Sequence, residues 1–245
     1  MPADPILLAA NIPDVPRWVA ARALLSSGDC TLVVAKTGTS AVVLDAQFRS
    51  GNLIGQPEPA LLRDALADVP PGFRLIVQIT SLDEAHGALV DWTVAEVIVH
   101  ELARPWPSVL PAEPGVTVSV PPDERLLVGL PDAVRGQAAQ ADAVAVRAAG
   151  GAAVAVCTAD AVTDLLWNVT VDTVAEHRRK GYATACFRML ATWMAARGRQ
   201  PVWCALAGHV PSIRLAAKLG FRPVDRLAVL TSPVADLSGP AGQFD

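Results

Sequence analysis

The chain has 245 residues, 52% of them apolar, 18% charged and 5% aromatic, with a formal charge of −4. At about 150 residues per domain, this length points to one large domain or two compact ones. The ample apolar material excludes a disordered, collagen-like or solenoid chain, and the mild acidity argues against a nucleic-acid partner, which needs clustered Lys and Arg.

Met1-Pro2-Ala3-Asp4-Pro5 carries no basic segment followed by a long apolar run, so no secretory signal is expected. A first helix is predicted over residues 15–25, then apolar runs at 31–35 and 41–44 joined around Gly38. The intervening Lys36-Thr37-Gly38-Thr39-Ser40 lacks the upstream glycine of a phosphate loop and opens no helix, so it reads as a hairpin turn. A helix over 59–67, a strand over 73–79, a short helix over 82–89 and a strand over 94–100 complete this half. Pro105, Pro107, Pro111, Pro114, Pro121 and Pro122 follow. Proline fixes φ and removes a backbone donor, so residues 105–122 read as a connector between an N-terminal domain, 1–115, and a C-terminal domain, 116–245.

Strands are predicted over 143–147 and 152–157, around Ala148-Ala149-Gly150-Gly151. Arg147, Gly150, Gly151 and Asp160 interrupt the apolar stretch 142–162, which therefore reads as two strands and not as a membrane helix. No membrane partner is expected, and the location is expected to be cytoplasmic. The strand over 165–174 puts Trp167, Val169 and Val171 on one face and Asn168, Thr170 and Asp172 on the other. His177-Arg178-Arg179-Lys180-Gly181-Tyr182-Ala183-Thr184 then enters a helix whose Ala183, Phe187, Leu190, Ala191 and Met194 recur at helical spacing, with Gly198 at its end. A strand over 202–206, a helix over 212–219 closed by Gly220, and a strand over 221–230 follow. Residues 73–100 can be laid over 201–230 as strand, helix, strand, which suggests an internal pseudo-repeat; two generic α/β units are the alternative. The tail, 232–245, is expected to be poorly ordered. Cys30, Cys157, Cys186 and Cys204 form no Cys-x-x-Cys pair and have no His at ligand spacing, so buried thiols in a reducing compartment and no metal are expected.

The stretch 178–184 carries the chemistry. The first four amides of a helix lack intrahelical partners, and the helix dipole adds positive potential at the same end. Amides of Arg179 through Thr184 can therefore converge on a pyrophosphate, with Gly181 and Ala183 keeping the backbone approachable. Arg178, Arg179 and Lys180 add a positive field. The alternative is a solvated basic helix start.

Arg178-x-x-Gly181-x-Ala183, after a long strand and opening an amphipathic helix, resembles the coenzyme A signature of the GNAT superfamily of N-acyltransferases. Val202-Trp203-Cys204-Ala205-Leu206 and His209-Val210-Pro211-Ser212, closing at Lys218-Leu219-Gly220-Phe221, are similar to the family's next strand and helix, in its order and spacing. The resemblance covers about residues 143–230. It implies an α/β (α+β) GNAT acyltransferase fold, a mixed central sheet flanked by helices, with a divergent GNAT-like N-terminal half. Within the superfamily, the strand tryptophan and the long front half resemble a bacterial two-part group that includes antibiotic self-resistance acetyltransferases.

It also implies roles. Acetyl-CoA is the cosubstrate. Thr173, Val174 and Ala175 would pair with the pantetheine arm, and Arg178, Arg179, Lys180, Gly181, Tyr182, Ala183 and Thr184 would hold the pyrophosphate. His209 and Ser212, at the start of the next helix, would also contact the cofactor; the family often has Asn at the first position, and His209 can hold cofactor, relay a proton, or be a plain loop residue. An amide near Val174 would polarise the thioester carbonyl. The family's frequent tyrosine four residues after the serine is Ala216 here, and its strand glutamate falls near Trp167, so neither transfers. Asp164, Asp172 and Glu176 are the nearby carboxylates. Each is either an exposed strand-end residue or a base, and Asp172 is the choice among them.

The expected function is N-acetylation of the amine of a small molecule, an antibiotic or a polyamine among the candidates, by direct attack in a ternary complex. The alternative is a non-catalytic acyl-CoA-binding regulatory or scaffold protein. A homodimer is compatible with either. The N-terminal loop after Leu44, Asp45 to Asn52, has no basic run leading into a helix. Trp92, Trp106, Asp83 and Glu84 are candidates for an acceptor pocket, with packing and surface roles as the alternative.

Overall fold

The computed structural model describes residues 5–45 and 50–234. The expectations for the N-terminal pentapeptide, for the loop after Leu44 and for the tail fall largely outside those residues. In chain order the elements are α1 (Pro5–Asn11), α2 (Val19–Ser27), β1 (Thr31–Val34), β2 (Ala41–Asp45), β3 (Ser50–Ile54), α3 (Pro59–Leu66), β4 (Arg74–Gln78), α4 (Leu82–Ala88) and β5 (Thr93–Leu102). There follow β6 (Val116–Ser119), α5 (Asp132–Ala139), β7 (Ala143–Ala149), β8 (Ala152–Val162), β9 (Leu166–Thr173), α6 (Tyr182–Ala195), β10 (Gln200–Leu206), α7 (Val210–Lys218) and β11 (Phe221–Thr231).

Contacts divide the chain into two units, one of residues 1–28 and 97–226, the other of 29–96 and 227–245. In the second unit β1, β2 and β3 form an antiparallel meander. The chain then crosses through α3, so that β4 runs parallel to β3 over residues 50–52 and 74–76, and the end of β11 pairs antiparallel with β4. Gly38 turns the β1–β2 hairpin at φ 73°, a left-handed conformation that glycine adopts without steric cost. Leu61, Leu62 and Leu66 of α3 pack on Val42, Leu53, Phe73 and Leu75. Trp92 sits edge-on to Phe73 at the margin of that cluster, while Asp83 and Glu84 lie exposed in the first turn of α4. These are packing and surface positions.

In the larger unit the antiparallel run β6-β7-β8-β9 is followed by β10, parallel to β9, and β10 pairs antiparallel with the end of β5. Helix α6 covers one face. Its Phe187 is fully buried among Trp106, Trp167, Trp203 and Phe221, with ring centroids 5.0, 6.4, 6.0 and 5.6 Å away. Trp106 is fixed further by its indole N–H, which donates to Thr192 Oγ1 (3.1 Å). Offset and edge-on aromatic pairs add directional stabilisation to the area they bury, and this nest sets where α6 begins relative to β9. The opposite face carries Leu127, Leu130 and Ala138 against Val144, Val146 and Val156. Helix α2 packs on β8 and β9, where Asp14 accepts from Thr163 Oγ1 (2.8 Å) and Arg22 pairs with Asp164 (2.9 Å).

The same element order occurs twice, β1-β2-β3-α3-β4-α4-β5 and β7-β8-β9-α6-β10-α7-β11. The counterpart of the basic loop is thus residues 55–58, Gly-Gln-Pro-Glu, and not the segment after Leu44, which joins β2 to β3. Glu58 puts a carboxylate at that helix start, bonded by Thr37 Oγ1 (2.7 Å), so an anion would be repelled there.

Several elements differ from expectation. α1, β3, β6 and α5 were not anticipated. β6 falls inside the proline-rich connector because residues 115–120 are free of proline and can pair with β7 at the sheet edge. No helix among the described residues is long and apolar enough to cross a membrane.

Candidate active site

The site grows from how β9 ends. Its pairing with β10 covers only Leu166, Trp167 and Asn168 against Gln200, Pro201 and Val202; beyond that the two strands part. On the other side β9 stays paired with β8 as far as Thr173 opposite Ala155, and the Val174 N–H donates to the Val154 carbonyl (2.9 Å). That bond corrects the oxyanion role expected for Val174, whose donor is consumed by the sheet. It also fixes the alternation of the strand: backbone groups of even-numbered residues here face β8, and those of odd-numbered residues face the opening. The amides turned to the opening are therefore those of Val171 and Thr173.

A single 3-10 turn over Ala175–His177 follows. Arg178 folds back, its Nε donating to the Thr173 carbonyl (3.2 Å), which ties the loop to the strand end. Arg179 (φ 61°) and Gly181 (φ 84°) are both left-handed, and such turns gather successive N–H groups into a concave nest for an anion. No acceptor among the described residues takes the N–H groups of residues 179–184; the first helical bond is Ala185 N–H to the Gly181 carbonyl (3.0 Å). Arg178, Arg179, Lys180 and Gly181 are exposed, and a Cβ at Gly181 would meet nothing within 4 Å. Ala183 and Thr184 lie half-buried in the first turn of α6. Tyr182 stacks on His177 (6.1 Å) beneath the Arg147 guanidinium (4.9 Å), so its ring is held by packing. Ala175 is exposed beside the opening.

Across the gap, His209 caps α7: its carbonyl accepts from the N–H of Ser212 (3.1 Å) and Ile213 (3.2 Å), while its side chain is exposed. The Ser212 hydroxyl accepts from the indole N–H of Trp203 (2.9 Å), so it braces α7 against β10. Ser212→Ala leaves that indole donor unpaired and is expected to cost ~1 kcal/mol of stability, read from urea unfolding. Asp172 is half-buried. Burial raises its pKa, against the opposing charges of Arg178 and His209. Asp164 is spent on Arg22, and Glu176 is exposed. Ala216, at the position of the absent tyrosine, is fully buried.

One residue escaped the sequence reading. Asp160 lies on β8 beside a register irregularity between Ala159 and Val162. It accepts from Thr170 Oγ1 (2.8 Å) and Asn168 Nδ2 (3.5 Å) of β9, with Gln137 of α5 as a further hydrogen-bonding neighbour. Its carboxyl is enclosed by protein although the residue keeps some exposed surface, and burial pushes its pKa up to about 6 against those hydrogen bonds. Its charge reaches Cys204 on β10, whose thiol burial and that charge push up to about 12. Asn168 Oδ1 is buried without a partner. The signal was present in the sequence as a lone carboxylate in an apolar strand.

Parted parallel strands, free strand amides and left-handed turns before the following helix stand together at the end of β9, and residues 145–230 match the family model described as GNAT acetyltransferase. The fold as a whole is GNAT-like. A GCN5-related N-acetyltransferase-like protein from Streptococcus suis aligns with TM-score 0.66 at 18% identity, covering 91% of this chain and 95% of its own. A GCN5-related N-acetyltransferase from Kribbella flavida gives 0.59 at 21%, covering 91% and 98%. A tandem GNAT protein from the clavulanic acid biosynthesis pathway gives 0.56 at 17%, covering 98% and 94%. No curated protein sequence matches the chain.

Proposed function

We propose that the protein transfers the acetyl group of acetyl-CoA to the amine of a small molecule, with antibiotics and polyamines as candidate acceptors, while both substrates are bound. The observation that carries this reading is the opening between β9 and β10 beside the unpaired amides of residues 179–184. Those amides, with Arg179 and Lys180, hold the diphosphate. The exposed edge of β9 pairs with the pantetheine arm through Thr173, and the Val171 amide donates to the thioester oxygen. A preorganised donor aimed at a developing oxyanion is worth ~3 kcal/mol of transition-state stabilisation. His209 stands across the opening, where it can protonate the departing thiolate in place of the missing tyrosine. His209→Ala is expected to lower turnover about tenfold or more, in line with loss of a proton donor, while acetyl-CoA affinity stays within about twofold; equal losses in both would make it a cofactor contact.

Calorimetry with acetyl-CoA, together with thiol release over a panel of amines, tests the reading. Binding with amine-dependent thiol release supports it. Binding without release supports a non-catalytic acyl-CoA-binding regulatory or scaffold role, which the apolar Ala216 favours. No binding sinks both.

A further inference from the structure

We propose that Asp160 is the anchor and proton acceptor for the substrate ammonium, with Asn168 and Thr170 positioning it; the proposal rests on the acetyl-transfer reading above.

Four observations converge on it. Thr158 lies opposite Thr170, so alternation along β8 puts the Asp160 side chain on the same face of the sheet as Thr170 and Asn168. Thr170 and Asn168 hold that carboxylate level with Thr170, one residue, about 3.3 Å of strand, from the Val171 amide that faces the opening. The buried Asn168 Oδ1 lacks a donor. Buried acceptors are rarely left unpaired, and an ammonium offers three N–H groups, enough for this oxygen and the Asp160 carboxylate together. The Asp160 charge also raises the pKa of the Cys204 thiol, so its field extends across β9 to β10.

Asp172, the carboxylate favoured from the sequence, instead shares its field with Arg178 and His209 at the cofactor end of the strand. The other groups around Asp160 leave it as the group that titrates near pH 6. Cys157 of β8 and Cys204 of β10 have thiols pushed well up. Gln137 of α5 is neutral, and Arg22 of α2 is engaged by Asp164 and by the carbonyls of Ala9 and Ile12.

In the step itself Asp160 takes one proton from the bound ammonium and leaves a neutral amine. The nitrogen lone pair forms the new C–N bond, and the carbonyl π pair moves to oxygen against the Val171 amide. Return of that pair breaks the C–S bond. His209 gives its proton to the departing thiolate and regains one from the second proton that leaves the nitrogen, and the proton on Asp160 passes to solvent. One ammonium and one thioester thus give one amide, one thiol and one proton.

The test uses the full chain, acetyl-CoA, and thiol release from pH 5 to 9 with spermidine, an aminoglycoside and hydroxylamine, and with water as the default acceptor. Wild-type release should climb with unit slope through pH about 6 and then level. Asp160→Asn should lose about a hundredfold or more, the range for removal of a general base, and lose the acid limb, while calorimetry with acetyl-CoA stays unchanged. Thr170→Val removes a hydrogen bond that holds the carboxyl down, so its acid limb should move to higher pH; this variant also decides the matter should Asp160→Asn fail to fold. An Asp160→Asn protein with wild-type rate and pH profile overturns the proposal, as does a Thr170→Val limb that does not move. Tight acetyl-CoA binding with no thiol release from any acceptor, water included, also overturns it. Absence of acetyl-CoA binding brings down the underlying reading.

Discussion

Gly181→Asp should weaken acetyl-CoA binding about a hundredfold, nearly 3 kcal/mol. Gly181 stands at the N-terminal boundary of α6 at φ 84°, with open space where a Cβ would go. Aspartate is among the residues that tolerate a left-handed backbone, so the change should cost folding only ~1 kcal/mol. Its carboxylate lies against the free amides of residues 182–184, where the helix dipole favours an anion. The variant therefore fills the nest with its own charge. A diphosphate must then displace that carboxylate or sit about 5 Å from it, and at an effective dielectric near 20 such repulsion is ~3 kcal/mol per charge pair. Gly181→Ala is the control: it adds the Cβ without the charge, and the open space predicts a loss within about fivefold, under 1 kcal/mol. Calorimetry with acetyl-CoA reads both. Equal affinity for Gly181→Asp and wild type would remove this turn from the cofactor site.

Helical and strand periodicity carried most of the larger unit, because its elements are long and bury one face each. Residues 183–194 showed their apolar stripe in sequence, and Phe187, Leu190 and Met194 are indeed fully buried. α1, β3 and β6 were opaque for a physical reason. Short strands such as Ser50–Ile54, between β2 and β4, and Val116–Ser119, at the edge beside β7, are set by pairing and show little pattern of their own. The anion turn was legible because its chemistry is local: glycine, three cations and a helix start are contiguous. The acceptor face was not. Asp160, Asn168 and Thr170 come from two strands, and only the register of β8 on β9 brings them together. Sequence placed Asn168 and Thr170 on one face but gave no sign of which residue on the neighbouring strand faced them. The amide parity of β9 was likewise hidden. A one-residue change of register would exchange Val174 for Val171 and Thr173 as the donors facing the opening, and hydrophobic alternation cannot report backbone direction.

Asp160→Asn should make the protein more stable at pH 7.5 relative to its effect at pH 4, by about 2–3 kcal/mol. The native carboxyl has its pKa pushed up to about 6 from an ordinary 3.8, with burial as the main cause. Below pH ~4 both folded and unfolded chains hold the proton, and the group carries no ionic penalty. Between ~4 and ~6 the unfolded chain loses it while the folded chain retains it, so unfolding releases a proton and native stability falls as pH rises. Above ~6 the full cost of a buried charge is present, ~3 kcal/mol for a shift of about two pH units at 1.36 kcal/mol each. Asparagine is neutral throughout and keeps an oxygen for the Thr170 hydroxyl, so it removes the pH-dependent part and leaves only a constant packing difference. Subtracting the urea-derived change at pH 4 from that at pH 7.5 cancels that constant and isolates the charge. A pH-independent difference would mean the carboxylate is ionised at no cost, hence well solvated and unfit to hold or take a proton selectively near pH 6. The predicted gain in stability on removing Asp160 is the mark of a group kept at a cost to the fold, as expected where a polar site serves chemistry and not packing.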